Sequence, residues 1–215
     1  MHWPTLIVDN FFTDPYAVVK LSKTFKYMRA SDNTWPGTRT DPISEVDREF
    51  FLWSTKKIMA LLYPMNLNGM SWNATQYFQH VPYKIYGEEG WVHNDSDFEF
   101  TSIIYLNDYP DSGTCLYEGK HFNITGEYRK EKERFYRDLK DLKRMEKYRN
   151  RANSKFTKKV ELCSNFNRLV LFDGYNWHAS KGDGAYKEDR LTLITFFRNI
   201  KAKDVLYPVT EMRRI

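Results

Sequence analysis

Gly90-Trp91-Val92-His93-Asn94-Asp95 decides how the rest of the chain reads. His93 and Asp95 are two residues apart. On a strand, alternate side chains share a face, so the imidazole and the carboxylate point the same way. They make two-thirds of a facial metal triad, and the third ligand must be a histidine arriving from a distant strand. His178 is the candidate, in Leu169-Val170-Leu171-Phe172-Asp173-Gly174-Tyr175-Asn176-Trp177-His178. Two imidazoles and one carboxylate leave three positions open on an octahedral ion, the arrangement that non-haem Fe(II) chemistry uses.

A His-x-Asp alone is a weak signal, because such a pair is ordinarily hydrogen-bonded at a surface. Arg190, twelve residues after His178, strengthens it. Arg190-Leu191-Thr192 opens the run Leu193-Ile194-Thr195-Phe196-Phe197, and on a strand Arg190 and Thr192 share a face. An arginine turned into an apolar sheet is costly unless it meets an anion. Its planar fork suits a carboxylate, to which Thr192 adds a further donor. The alternative puts Arg190 on the outer face, paired with Asp189 or Glu188.

Outward from these residues the pattern is mainly β. Ser71–Gln79, Gly90–Asp95, Phe98–Leu106, Gly113–Tyr117, Asn167–Phe172 and Leu191–Asn199 read as short strands separated by Gly, Asp, Asn and Pro. Short strands so spaced indicate an all-β sandwich or barrel, and the absence of βαβ alternation argues against a doubly wound sheet. Residues 1–70 read differently. A short strand at Leu6-Ile7-Val8 precedes a helix opened by Asp14-Pro15, with Val18, Leu21, Phe25 and Met28 on one stripe. Residues 31–42 are loop-forming. Ser44 with Asp47 suggests a capping box for a helix reaching Leu62, which buries Phe50, Phe51, Trp53, Ile58 and Leu61 and is stopped by Pro64.

The chain has 215 residues, enough for one domain with a sizeable core. Its net charge of +5 is uneven: residues 127–160 hold fourteen Lys/Arg and six Asp/Glu, a surplus of eight, so the remainder is acidic by three. Residues 127–151 lack Gly and Pro, and Phe135, Leu139, Leu142 and Met145 recur at helical spacing. They predict a long amphipathic helix inserted between two strands, either a solvated helix packed by a narrow stripe or a basic face for nucleic acid, a membrane surface or an acidic protein. Cys115 and Cys163 follow no disulfide or metal spacing, which favours a reducing compartment. Met1-His2-Trp3-Pro4 has no signal-peptide character and no long apolar run occurs, so a cytoplasmic setting without a membrane span is the expectation.

Taken together, His93-Asn94-Asp95, His178, Arg190 and Thr192, with Tyr105-Leu106-Asn107 and Ser112-Gly113-Thr114, resemble the Fe(II)- and 2-oxoglutarate-dependent dioxygenase superfamily, in its prolyl-4-hydroxylase-like branch. The resemblance covers about residues 71–200. Tyr83, Tyr86 and Gly87 only loosely match the branch's tyrosine-glycine-tyrosine, and the insert lies outside its core. The resemblance implies a double-stranded β-helix (jelly roll) at 71–200; with the N-terminal helical support read at 1–70 and the basic insert at 127–160, one domain over residues 1–215 is expected. The resemblance also implies Fe(II) on His93, Asp95 and His178, and 2-oxoglutarate on Arg190, Thr192 and Tyr105, with Tyr77 and Tyr83 as additions. The activity implied is hydroxylation of a C–H bond of a peptide or small molecule using O2, with ascorbate as a reductant and succinate and CO2 as products. Two other readings share the core: an oxidative nucleic-acid demethylase engaging DNA or RNA through 127–160, and a non-enzymatic cupin-like module. Substrate contacts come from loops over the mouth, and Trp35, Arg39 and Tyr86 are the candidates.

Overall fold

The structure is a computed structural model that describes residues 3–29, 35–64, 67–82, 89–107, 109–119, 130, 132, 134, 142–181 and 189–202. Its frame follows from the β-branched and aromatic residues of Arg190–Ala202, which form β10, the longest strand described. β10 pairs antiparallel with β4 (Met70–Val81) on one side and β5 (Phe100–Tyr105) on the other. β8 (Leu169–Asp173) extends the sheet beyond β5 and carries β1 (Leu6–Val8) at its edge. Beyond β4 come β3 (Thr38–Thr40) and β2 (Tyr27–Met28), completing the order β1-β8-β5-β10-β4-β3-β2. A second sheet has the order β7-β6-β9, from Phe156–Ser164, Tyr109–Gly119 and Trp177–Lys181. Two facing antiparallel sheets with these crossovers make the expected jelly roll.

Strand alternation gives the large sheet two unlike faces. Outward go Phe78, Phe100, Ile104, Leu169, Leu171, Leu193 and Phe197, the centre of the main apolar core. Against them pack α1 (Pro15–Ser22) and α3 (Arg48–Leu62). Fully burying one such side chain contributes roughly 1.5–3 kcal/mol. Inward go Ile103, Tyr105, Val170, Phe172, Ile194 and Phe196, facing Leu116 and Leu162 of the small sheet.

Asp14 caps α1 by accepting from Ala17 N at 3.0 Å, with Pro15 in the first turn. The helix ends at Ser22, so Phe25 and Met28 lie beyond it and Met28 is exposed. The capping-box expectation is corrected. A one-turn α2 (Ile43–Val46) follows Pro42, and Asp47 caps α3 with its own carboxylate on Phe50 N at 3.0 Å. Trp53, expected inside, is half exposed. Strand β3 lies within the segment read as loop, held by pairing with β4. β7 was likewise unread, and its first residues belong to the stretch expected to be helical insert. Of that insert the structure describes α4 (Leu142–Asn153) together with residues 130, 132 and 134; Phe135 and Leu139 lie outside the described residues. Among the described residues no helix is long and apolar enough to cross a membrane.

Candidate metal centre and its cavity

The segment carrying the first two ligands is not a regular strand. It follows β9 through separate contacts: Gly90 N donates to Ser180 O at 2.8 Å, and His93 and His178 exchange both backbone hydrogen bonds at 2.9 and 2.7 Å. Asp95 N then donates to Gly174 O at 2.8 Å. Gly174 is needed here because a Cβ would lie 2.1 Å from Phe98 O. His178 is near the start of β9, after the turn 174–176, rather than at the end of the preceding strand. Pairing across this edge, more than regular i, i+2 alternation, brings the three side chains together.

One ligand atom each from His93, Asp95 and His178 lies within 4.8 Å of the others. Asp95 Oδ1 is 3.9 Å from His93 Nε2, and Asp95 Oδ2 is 3.5 Å from His178 Nε2. Each histidine donates its Nδ1–H to the carbonyl two residues before it, His93 to Trp91 O at 2.8 Å and His178 to Asn176 O at 2.9 Å. That fixes the tautomer and leaves both Nε2 lone pairs aimed at the common point, as metal-bound histidines require. Thr101 Oγ1 donates to Asp95 Oδ2 at 2.7 Å and restrains the carboxylate. Burial holds the His93 imidazole well below its ordinary pKa, reinforced by the charges of Lys132 and His178. Burial pushes Asp95 the other way, yet His178, His93 and the Thr101 hydrogen bond together hold it below the usual carboxylate range. Both shifts favour the neutral imidazole and the ionised carboxylate, the forms that bind a metal. Borderline nitrogen and hard oxygen donors on one face fit a first-row divalent ion such as Fe(II).

The centre opens on a cavity of about 430 Å³ that also reaches Arg190, Tyr77, Trp35 and Arg39. Arg190 is 7% exposed, with its guanidinium carbon 5.3 Å from the centre of the Tyr105 ring. Asp189, the alternative partner considered for it, pairs with His80 at 3.0 Å, and Arg190 turns inward. Thr192 is buried directly across from Tyr105 and Gln79. Tyr105 lies beneath the cavity wall and its hydroxyl shares a 2.7 Å hydrogen bond with Thr114, which does line the cavity. Tyr77 is on the wall, and burial keeps its phenol above its ordinary pKa. Tyr83 and Tyr86 lie outside the described residues.

Two asparagines hold the site from behind. Asn107 brackets Arg190, donating to Asp189 O at 2.5 Å and accepting from Leu191 N at 2.9 Å. Asn153, at the end of α4, brackets Trp91, donating to Gly90 O and accepting from Val92 N, each at 2.9 Å. Arg149, Ala152 and Asn153 form one buried face of α4, with Ala152 packed against Trp91 and Val92. The described part of the insert therefore supports the segment that bears His93 and Asp95. Asn153 gave no signal in the sequence because it lies 61 residues from Val92. Lys132, from the same insert, lines the cavity and was also missed.

Residues 2–197 match the model of a family described as a family of unknown function, DUF6445. No curated protein sequence matches the chain. Among solved structures it is similar to HygX from Streptomyces hygroscopicus with nickel and 2-oxoglutarate bound: TM-score 0.59, 10% identity, 90% of this chain and 82% of that one. It is also similar to SnoN, a non-heme alpha-ketoglutarate-dependent epimerase from nogalamycin biosynthesis: TM-score 0.57, 8% identity, 93% and 80% coverage. A 2OG-Fe(II) oxygenase family oxidoreductase from Burkholderia pseudomallei follows at TM-score 0.50, 10% identity, 90% and 83% coverage. At such identities the likeness is one of fold.

Proposed function

Given that the chain belongs to the DUF6445 family, we propose that it is an Fe(II)- and 2-oxoglutarate-dependent oxygenase that hydroxylates a C–H bond of a small molecule or peptide. The observation that carries this reading is the convergence of His93, Asp95 and His178 on one cavity with the buried guanidinium of Arg190. A mere metal-binding module has no use for that guanidinium at the cavity floor, and the neighbours of like fold include HygX with 2-oxoglutarate bound.

In this reading His93, Asp95 and His178 hold Fe(II). Arg190, backed by Tyr105, Thr192 and Thr114, takes the distal carboxylate of 2-oxoglutarate. Iron and 2-oxoglutarate held there would supply O2 activation for hydroxylation of the substrate, with succinate and CO2 as the coproducts. The protein's share is position and dryness. The Trp91 and Asn176 carbonyls keep each imidazole in one tautomer and orientation. Asn107 fixes the backbone on both sides of Arg190, so the cosubstrate is oriented from its far end. Phe98 and Phe196, with ring centres 4.7 Å apart, wall the cavity and exclude water beside the centre.

The test is succinate release with Fe(II), 2-oxoglutarate and ascorbate, coupled to mass spectrometry for the gain of one oxygen on candidate amino acids and peptides. Turnover that requires iron and is abolished in His178→Ala supports the reading. Iron binding and turnover that survive His178→Ala refute the ligand assignment.

A further inference from the structure

The Asp173 carboxyl group is buried, and the chemistry proposed above makes no use of it. Asp173 ends β8, opposite Phe100 of β5, where the chain turns towards His178. Its Oδ1 accepts from Tyr175 N at 2.8 Å. Its Oδ2 accepts from Trp3 N at 2.6 Å, 170 residues away in the chain. Its backbone carbonyl accepts from Asn176 N at 3.0 Å. The Trp3 ring is itself part of the main apolar core, with its centre 5.0 Å from that of Phe100 and 6.3 Å from that of Tyr63. One carboxyl group therefore ties the start of the chain to the turn 174–176.

That turn delivers two contacts to the metal-ligand residues. Gly174 O accepts from Asp95 N at 2.8 Å, and Asn176 O accepts from His178 Nδ1 at 2.9 Å. Packing does little for the tip of the turn, because Tyr175 is 60% exposed. Segments with few buried contacts open readily unless their backbone is held. A solvent-exposed Asp or Asn at this position would make the same local turn by bonding the N–H two residues on. Burying the carboxyl group costs stability that such a residue would not. What burial adds is the second anchor: the Trp3 bond fixes the turn relative to the core, and not merely its own shape. Neither Trp3 nor Asp173 lines the cavity.

Resting on the oxygenase reading, we propose that Asp173 is a positioning residue for the iron centre: docked on Trp3 N, it fixes the carbonyls of Gly174 and Asn176, and through them the aim of the Asp95 carboxylate and the His178 imidazole. Asn153 serves the other side of the same centre, where the Trp91 carbonyl orients His93. The N-terminal segment thus contributes to the metal geometry without touching the cavity.

The test separates metal binding from stability. Asp173→Asn keeps the size of the side chain but has one acceptor oxygen, so it can serve Tyr175 N or Trp3 N and not both. Fe(II) affinity is measured by anaerobic titration without cosubstrate, and the visible charge-transfer band is recorded after 2-oxoglutarate is added. Asp173→Asn is expected to bind Fe(II) about tenfold more weakly and to shift the band. Trp3→Pro removes the donor with Asp173 intact and is expected to do the same, whereas Trp3→Phe keeps the N–H and should stay within about twofold of the native affinity. Phe197→Ala, on the outer face of the large sheet, is the control for lost stability alone, and its iron affinity and band should remain native. Iron affinity and band that stay native in Asp173→Asn, or that change equally in Phe197→Ala, overturn the proposal. Should Asp173→Asn not fold, Trp3→Pro against Trp3→Phe decides in its place. Failure of the band to form in the native protein speaks against the oxygenase reading, whereas iron affinity still reads Asp173 through the metal ligands alone.

Discussion

The same strands build two regions with opposite tasks. On the outer face of the large sheet, Phe78, Phe100, Leu193 and Phe197 are fully buried against the N-terminal helices. On the inner face, one residue away in each strand, stand Gln79, Thr101, Thr192 and Phe196, and the inner positions include Arg190 and the cavity. The outer face tolerates desolvation because most of its groups are apolar and its buried Gln76 is satisfied by Thr195 and Ser54, at 2.8 and 3.0 Å. The inner face keeps polar and charged groups in place, which costs stability but creates a site. Neighbouring residues on β10 should therefore fail in different ways when changed.

The largest expected effect lies outside. Phe197 stacks on Phe100 with ring centres 4.4 Å apart. Phe197→Ala should lower unfolding free energy by about 3–5 kcal/mol in urea titrations while the folded fraction still binds 2-oxoglutarate normally. If ligand affinity falls in step with stability, the two faces are not separable. Arg190→Met should do the reverse: about 100-fold or weaker 2-oxoglutarate binding, followed by calorimetry, with unchanged or slightly raised thermal stability, because an unbranched apolar side chain suits the buried position without a charge to desolvate.

Asn153→Ala sharpens the comparison at the insert. Losing the bracket around Trp91 should weaken iron binding by about tenfold, since groups that orient a ligand segment typically matter at that scale. An iron affinity unchanged in this variant would make α4 a bystander. The smallest effect belongs to an ion pair beside the β1 edge of the large sheet. Arg168 meets Asp9 through Nε–Oδ1 at 2.6 Å and Nη2–Oδ2 at 2.9 Å, and this hydrogen bond lowers the Asp9 pKa below 3.8. A lowered carboxylate pKa adds stability above pH 3.8, lost as the pH falls through the folded-state value. Asp9→Asn should cost less than about 1 kcal/mol at neutral pH, because the Asp9 carboxylate is half exposed, and the difference should vanish in acid and shrink with salt.

How much of this was legible varied with distance along the chain. β4, β5 and β10 were readable, with ends shifted by one to three residues, because their side chains alternate strongly. β7 was missed because its charged exposed residues, Lys158 and Lys159 among them, resemble the insert before it. β3 escaped because a three-residue strand rich in turn-forming neighbours exists only through pairing with β4 and β2. The triad and Arg190 were legible because few chemistries place those residue types at such spacing. The two asparagine brackets were not, since an amide's partners are backbone groups that no side-chain pattern marks.

The sequence by itself marked the alternating faces, the three side chains that converge on one cavity and the inward arginine, because strand period and donor chemistry are local properties. Tertiary structure alone decided that an irregular segment would lie along β9, that Asn153 would hold it, and that Asn107 would bracket Arg190. Those outcomes depend on sheet edges meeting across long stretches of chain, where nothing in one segment records the identity of its partner.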